Sequence, residues 1–307
     1  MKRLFFSDDL QIGGQAVIEG VMMRSPEIFT VAVRKSNGEI LLKKERFLSV
    51  VKKYPFLNIP VVRGAIALVE TLYIGIKALV FSADVAAQEE LGEKEEEEKK
   101  IEEKSSGEKI FTTFFLIISV AAGGFLALFL FFYLPLILTD FLGIKTGYLF
   151  NIVDGIIRIG IFLVYLWLIT LWKGMRRIFE YHGAEHKSIF ALERGDELTV
   201  ENVKKYTTYH PRCGTSFLLI VMLVSIAVFI FVGRPHTIQE RLLRLAYVPL
   251  IAGISYELIK LSAKKTGSLF FKVLVAPGLF LQRITTKEPD ESQIEVAIVA
   301  LKSCLEK

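Results

Sequence analysis

Long apolar runs separated by short polar turns dominate the chain after residue 110. Crossing a bilayer takes ~20 mostly apolar residues in a helix, and four runs satisfy this requirement. They are residues 111–138, 148–172, 215–232 and 245–261. A fifth run, residues 269–281, is too short and contains a lysine and a proline, which indicates an interfacial or re-entrant segment. The pattern therefore predicts a polytopic α-helical membrane protein with four transmembrane helices.

The N-terminal part of the chain has the pattern of β-structure instead. Residues 29–35 and 39–43 are two short segments on either side of a turn that contains Asn37-Gly38. Asn-Gly readily adopts the positive φ angles of a tight turn, so these segments predict a β-hairpin. We place the hairpin in a small cytosolic β-containing domain of residues 1–58.

Residues 59–88 repeat apolar positions at helical spacing, with four charged residues among them. This pattern predicts an amphipathic helix that lies on the membrane surface or partly within it. Arg63 and Glu70 are seven positions apart on nearly the same face. They could pair with each other, face a partner inside the fold, or remain exposed charges of little consequence. The charged residues 89–109 predict a solvated linker or an exposed helix.

These patterns divide the chain into seven predicted segments. They are a cytosolic β-hairpin domain (1–58), an amphipathic membrane-surface helix (59–88), a charged linker (89–109), a first transmembrane helix pair (110–173), a cytosolic loop rich in histidine and cysteine (174–214), a second transmembrane helix pair (215–268), and an interfacial segment with a C-terminal amphipathic helix (269–307). In this last helix Ile294, Ile298, Leu301 and Leu305 share one face, and we expect that face to pack on the cytosolic domain.

Composition agrees with a membrane protein. Hydrophobic residues make up 52% of the 307 positions, and the mean hydropathy is +0.45, which is too apolar for an ordinary soluble domain. The net charge of +5 gathers near membrane ends rather than in a basic stripe, which argues against a nucleic-acid partner. The two cysteines lie in different contexts and form no disulfide framework, which favours a reducing cytosolic face.

The distribution of basic residues predicts the orientation in the bilayer. Residues 173–214 carry many lysines and arginines, whereas the turn at 140–146 carries only Lys145. The positive-inside rule therefore places the 173–214 loop in the cytoplasm, and an even number of spans places both termini there too. Three arginines between residues 233 and 244 weakly oppose this orientation, because it places them on the outer side. Residues 1–9 lack the apolar core of a cleavable signal peptide.

Three of the four histidines and one of the two cysteines lie within 32 residues, which suggests a metal site. His182 and His186 share a helical face, and with Glu185 they form the HxxEH pattern of inverted zincins. His210 and Cys213 add an HxxC pair, and N and S ligands suit tetrahedral zinc. We predict zinc ligands at His182, His186, His210 and Cys213, with Glu185 as the catalytic base. A site with four protein ligands would be structural, and histidines four apart often only pack or form hydrogen bonds.

Charged residues inside the predicted spans are further candidates, because an ionisable group in hydrocarbon is costly. Asp154 and Arg158 are four positions apart, so they form either an internal ion pair or part of a substrate path. Glu257 lies toward the cytosolic end of the fourth span. It is either a third metal ligand, as downstream glutamates are in inverted zincins, or an interfacial carboxylate.

Three motifs, at residues 13–26, 181–187 and 210–217, resemble the signatures of the YqhQ-like bacterial membrane proteins. The resemblance extends over nearly the whole chain, and no histidine or cysteine of the motifs departs from the pattern. It implies a location in the bacterial inner membrane. The family is a domain of unknown function that has also been described as a metal-dependent enzyme.

Three functions fit these features. The first is a zinc-dependent hydrolase at the cytosolic membrane face that acts on a peptide or a membrane protein, with Glu185 as general base. The second is a non-catalytic biogenesis or partner-binding factor for membrane proteins, in which the metal site is structural. The third and weakest is a small transporter built on Asp154 and Arg158. The sequence leaves open whether the protein is an enzyme, and it specifies no oligomeric state.

Overall fold

The computed structural model describes residues 12–98, 118, 121–211, 213–263 and 269–306. The strands are β1 (Gly13–Val17), β2 (Gly20–Arg24), β3 (Ile28–Arg34) and β4 (Ile40–Arg46). The helices are α1 (Val50–Lys53), α2 (Val62–Glu98), α3 (Ala121–Phe141, with a π-helical turn at Phe129–Tyr133), α4 (Gly147–Ile169), α5 (Lys173–Arg194), α6 (Val200–Lys204), α7 (Gly214–Val232), α8 (Ile238–Ala246), α9 (Val248–Ala263), α10 (Leu269–Thr285) and α11 (Glu291–Leu305).

The four strands form an antiparallel sheet in the order β1-β2-β3-β4. The predicted hairpin is confirmed, because β3 and β4 pair from Arg34 opposite Ile40 to Ile28 opposite Arg46. Gly38 in the turn has a φ of 86°, which glycine adopts without strain. The small N-terminal β-containing region is therefore confirmed.

Both faces of the sheet are buried, which explains why apolar residues occupy successive positions in β2 and β3. On one face, Val17, Val31 and Val33 pack against Ile74 and Ala78 of α2. The other face forms a second core with α5 and α11, which includes Val21, Met23, Ala32, Ala184 and Ile298. The sheet thus connects α2 on one side to the helix that carries the HxxEH pattern on the other.

The predicted C-terminal helix is confirmed as α11. Asp290 caps its N-terminus and forms a reciprocal capping box with Gln293. Ile294, Ile298 and Leu301 are buried in the core shared with the sheet, as expected, whereas Leu305 is 40% exposed. The buried face of the helix therefore ends one turn earlier than the sequence pattern predicts.

Within the described part of the chain, four helices are long and apolar enough to cross a membrane, namely Val62–Gln88, Ala121–Phe141, Gly147–Ile169 and Ile238–Leu261. The set differs from the predicted spans. It includes the helix that we assigned to the membrane surface, whereas Phe217–Val232 is classed as a shorter apolar helix. The start of the first predicted span, residues 111–117, lies outside the described residues.

The two remaining segments also take helical form. The predicted linker continues α2 as far as Glu98, and residues 99–109 lie outside the described part of the chain. The predicted interfacial segment is the helix α10, which contains Pro277 in its interior.

The chain divides into two compact units that do not coincide with the predicted segments. The first comprises Met1–Glu89, Leu166–Val221 and Leu243–Lys307, and the second comprises Glu90–Tyr165 and Met222–Leu242. All residues of the candidate metal site belong to the first unit. In the second unit, Arg158 Nη2 lies 2.8 Å from Asp154 Oδ2, so the predicted internal ion pair is confirmed.

Of the alternatives predicted for Arg63 and Glu70, the structure shows partners inside the fold rather than a mutual pair. Arg63 binds Glu257 instead, through its Nε at 2.6 Å from Oε1 and through a second contact from Nη2 to Oε2. Glu70 accepts hydrogen bonds from Arg24 at 3.3 Å and from the Ser49 hydroxyl at 2.9 Å. Each charge therefore pairs with a residue distant in sequence, and Glu257 is engaged by Arg63 rather than by the histidine cluster.

Candidate metal centre

The helix α5 positions the two histidines of the HxxEH pattern. It runs from Lys173 to Arg194 and ends at Gly195, whose φ of 75° is typical of a helix C-terminus. His182 and His186 are one turn apart, and their ring centroids are separated by 4.4 Å. The spacing predicted from the sequence therefore places both imidazoles side by side.

Cys213, immediately before α7, completes the group. Its Sγ lies 3.3 Å from His182 Nε2. The potential ligand atoms of His182, His186 and Cys213 all lie within 4.8 Å of one another. Three donors that can hold a metal ion therefore come together from two segments of the chain.

Backbone carbonyls orient both imidazoles. His182 Nδ1 lies 2.8 Å from the carbonyl oxygen of Thr285, and His186 Nδ1 contacts the carbonyl oxygen of Thr208. A carbonyl can only accept a hydrogen bond, so each Nδ1 carries the proton and each Nε2 presents a lone pair. This arrangement is typical of histidines that bind a metal through Nε2.

The Nε2 atom of His186 is the most informative atom of the cluster. It is buried and makes no hydrogen bond of ordinary geometry among the residues that the structure describes, although the Cys213 thiol lies within 4.8 Å of the imidazole. A buried polar atom without a partner is costly, and a metal ion would satisfy it. Burial lowers the pKa of His186, while contact with Cys213 opposes this shift, so the imidazole is held in the neutral form that metal binding requires.

Glu185 is buried between α5 and β1. Its Oε2 lies 3.9 Å from His182 Nε2, and its carboxylate accepts a hydrogen bond from the backbone N–H of Gly14. A Cβ atom at Gly14 would lie 2.8 Å from Glu185 Cγ, so only glycine permits this approach. Burial raises the pKa of Glu185, and the imidazoles of His182 and His210 partly oppose the shift.

His210 lies beside the group of three rather than within it. Its ring centroid is 5.8 Å from that of His186, and its Nε2 is 3.3 Å from Glu193 Oε1. The Gln282 side chain holds the backbone of His210 at two points, accepting from its N–H at 2.7 Å and donating to its carbonyl at 2.8 Å. The ligand role that the sequence predicts for His210 therefore remains a prediction.

Sequence reasoning missed the residues that support the ligands. Gln282 and Thr285 belong to α10, and Gln282 is fully buried. Gly183 allows the chain after α10 to approach α5, because a Cβ atom there would lie 2.1 Å from the carbonyl oxygen of Lys287. Gln282 directly follows the apolar run of residues 269–281 and is itself followed by Arg283, so no local pattern marks it as a supporting residue.

Comparison with known proteins agrees with the resemblance noted in the motifs. The family described as "Protein of unknown function (DUF1385)" matches residues 59–307. The "Uncharacterized protein YqhQ" of Bacillus subtilis (strain 168) is 33% identical over 309 residues, which cover 95% of this chain and 92% of that protein. No solved structure matches the chain. Both matching regions include the segment that contains the histidines and Cys213.

Proposed function

The chain belongs to the DUF1385 family, as its motifs predicted, and from its geometry we propose that it is a zinc-dependent hydrolase at the cytosolic face of the bacterial inner membrane. The observation that carries the proposal is the convergence of His182, His186 and Cys213 within 4.8 Å, with the carboxylate of Glu185 next to them. Two nitrogens and one sulfur suit zinc.

Each residue has a defined role in this proposal. His182, His186 and Cys213 would hold the ion, and a bound zinc supplies a Lewis acid that makes water more acidic. Glu185 takes the proton of the attacking water and later donates it to the leaving group. Burial raises the pKa of Glu185, so this carboxylate accepts a proton more readily than a solvated one, which favours the role of general base.

The number of ligands favours catalysis over a closed structural site. Catalytic zinc sites commonly use three protein ligands and keep one position for water or substrate. Among the residues that the structure describes, three donor atoms converge here, and the fourth predicted ligand, His210, contacts Glu193 instead. This arrangement supports an open site.

The position of the site supports a substrate at the membrane. Cys213 directly precedes the apolar helix α7, and Thr285 is the last residue of the apolar helix α10. We propose a multi-pass protein with both termini in the cytoplasm, whose substrate is a peptide or a segment of another membrane protein. The basic residues between 173 and 214 support this orientation.

Metal content and hydrolysis test the proposal. We expect about one zinc per chain by elemental mass spectrometry of the detergent-purified protein, lost in His182→Ala/His186→Ala and retained in the matched control His236→Ala, because His236 is exposed and lies outside the cluster. Glu185→Gln should keep the metal and lose hydrolysis of an unstructured, casein-like substrate. Wild-type protein without metal would exclude the proposal, and full activity in Glu185→Gln would exclude the assigned base.

A second candidate is a non-catalytic biogenesis or partner-binding factor with a structural metal site. It is favoured by the burial of Glu185 and its hydrogen bond from Gly14, which give the carboxylate a structural role at the edge of the sheet. In that case Glu185→Gln would be harmless, His182→Ala would unfold the segment before α7, and crosslinking would retrieve a membrane protein.

A further inference from the structure

The helix α2 has two faces of different chemistry. The face toward the sheet buries Ile74 and Ala78 completely. It also carries two ion pairs with the sheet, between Glu70 and Arg24 at 3.3 Å and between Lys77 and Glu45. Residues 70–85 of α2 are therefore fixed along the sheet by both apolar and polar contacts.

The opposite face of α2 is an apolar stripe exposed on the surface. Its members follow helical spacing and are each at least 40% exposed, namely Val69, Leu72, Tyr73, Ile76, Leu79 and Val80. Contiguous apolar surface of this kind marks an interaction site in most proteins. The stripe ends at Asp84, an exposed charge on the same side of the helix.

The sheet argues against α2 as a spanning helix, although its length and apolarity would permit it. A helix that crosses the bilayer would carry its packed neighbours into the hydrocarbon. Here the neighbours are four strands with polar edges, and their charges meet those of α2 in the middle of the apolar stretch. Open sheet edges and charged groups are not stable in hydrocarbon.

The start of α2 is anchored to a helix that is itself a candidate span. A Cβ atom at Gly64 would lie 2.9 Å from Gly253 Cα of α9, and Arg63 pairs with Glu257 of the same helix. The α9 residues up to Leu261 belong to the candidate span Ile238–Leu261. The exposed stripe therefore begins beside one end of a helix suited to the bilayer.

The segment before α2 has the composition of a membrane interface. Tyr54, Phe56 and Ile59 are 43%, 71% and 56% exposed, and Lys52 and Lys53 precede them. Aromatic rings and basic side chains together are typical of the headgroup region, where rings enter the acyl boundary and lysines meet anionic lipid. This patch is continuous in sequence with the start of α2.

We propose that α2 lies flat in the cytosolic interface of the bilayer, with the stripe from Val69 to Val80 immersed at the level of the acyl boundary. The sheet then stands on its cytosolic side. The helix leaves the lipid at Asp84, whose exposed carboxylate stays in water because anionic lipid repels it. The partner of the stripe is thus a lipid surface, and this inference does not depend on the metal site.

Spin labels can measure the depth of α2. Single cysteines at Val69, Leu72, Ile76 and Val80 would be labelled in the full-length protein in phosphatidylcholine/phosphatidylglycerol vesicles. Labels at Asp84 and at the exposed Glu201 serve as aqueous references. The protein without an added cysteine, treated with the same reagent, gives the background labelling of its two buried cysteines. Accessibility to oxygen and to a water-soluble nickel complex gives the depth of each label.

We expect the four stripe positions to share one shallow depth, ~5–10 Å below the phosphates, and both reference positions to be aqueous. A depth that changes steadily from Val69 to Val80 through the bilayer centre would show a crossing helix and overturn the inference. Low accessibility to both reagents, with spin–spin broadening between labels, would assign the stripe to a second copy of the chain and overturn it too. If the four stripe positions were as accessible to the nickel complex as the aqueous references, the stripe would lie in water and the inference would be overturned.

Discussion

His182 Nε2 and Cys213 Sγ lie 3.3 Å apart although the two residues are separated by 31 positions. The contact joins α5 to the segment that leads into α7. It forms next to His186, whose buried Nε2 makes no hydrogen bond of ordinary geometry with any residue that the structure describes. At this distance the thiol could donate a weak hydrogen bond to the imidazole nitrogen. Alternatively, the sulfur and the nitrogen could both bind the same metal ion. The buried Nε2 of His186 favours the second explanation.

Cys213→Ser is the most direct test of the sulfur ligand. We expect the substitution to weaken zinc binding at least 10-fold, because a hydroxyl is a far poorer zinc ligand than a thiolate. Cobalt substitution should give a thiolate-to-cobalt absorption band in the wild type and none in the variant. The control is Cys304→Ser, since Cys304 is buried against Ile28 in the α11 core. An unchanged cobalt spectrum in Cys213→Ser would remove the cysteine from the site.

Gln282→Leu tests the support that α10 gives the site. The leucine leaves the N–H and carbonyl of His210 without their partners, which costs about 1–3 kcal/mol for each buried group. Because this backbone connects Thr208 with Cys213, zinc affinity should fall about 10- to 100-fold in a chelator competition assay. Gln282→Glu keeps the acceptor for the His210 N–H but turns a second oxygen toward the His210 carbonyl, so it should also lose affinity. Wild-type affinity in Gln282→Leu would show that the amide has no influence on the ligands.

Gly183→Ala tests the close approach of α5 to the chain after α10. A Cβ atom at Gly183 would lie 2.1 Å from the carbonyl oxygen of Lys287, so the backbone must move. We expect a loss of about 1–3 kcal/mol in the free energy of unfolding, measured by denaturant titration in detergent. Gly174→Ala in the same helix is the matched control, because its Cβ would meet its nearest neighbour at 3.9 Å. Equal stability of the two variants would refute the steric argument.

Asp290→Ala tests the cap of α11. The carboxylate accepts the backbone N–H of Gln293 at 2.9 Å, so its loss leaves an N-terminal helix donor unpaired. We expect a cost of about 1 kcal/mol, and less for Asp290→Asn, which keeps an acceptor oxygen. Thermal unfolding followed by circular dichroism compares the three chains. A larger loss in Asp290→Asn than in Asp290→Ala would contradict this explanation.

Cysteine labelling in intact cells tests the proposed orientation. Lys145 and Glu197 are exposed residues in loops that the positive-inside rule assigns to opposite sides of the membrane. A membrane-impermeant maleimide should label Lys145→Cys in intact cells and Glu197→Cys only after permeabilisation. The reverse pattern would invert the topology and move the metal site to the outer face.

Local periodicity predicted the elements that depend on neighbouring residues. The i, i+4 spacing of His182 and His186 predicted that both lie on one helical face. The Asn-Gly pair predicted the position of the turn between the two strands of the hairpin. Local periodicity cannot predict contacts between residues that are distant in the sequence. Gln282 is 72 positions from His210, and the carbonyl of Thr285 is 103 positions from His182, so no local pattern reveals either contact.

The helix α2 is a second case in which the local sequence pattern was not sufficient. Its hydropathy alone qualifies it as a spanning helix, because a count of apolar residues ignores what packs on each face. Only the three-dimensional structure shows that Ile74 and Ala78 face the sheet while Ile76 and Val80 are exposed. The sequence could not choose among the alternatives for Arg63 and Glu70 for a similar reason, since the partners of both charges lie on other elements.

X-ray absorption at the zinc edge of the purified, full-length protein tests the central claim most directly. We expect one zinc per chain with one sulfur at ~2.3 Å and two imidazole nitrogens at ~2.0–2.1 Å. The remaining position should be held by an oxygen or another light atom that does not belong to an imidazole. Absence of zinc, or a zinc without sulfur in its shell, would contradict the site formed by His182, His186 and Cys213. A shell of one sulfur and three imidazoles would bring in His210 and contradict the open, catalytic site.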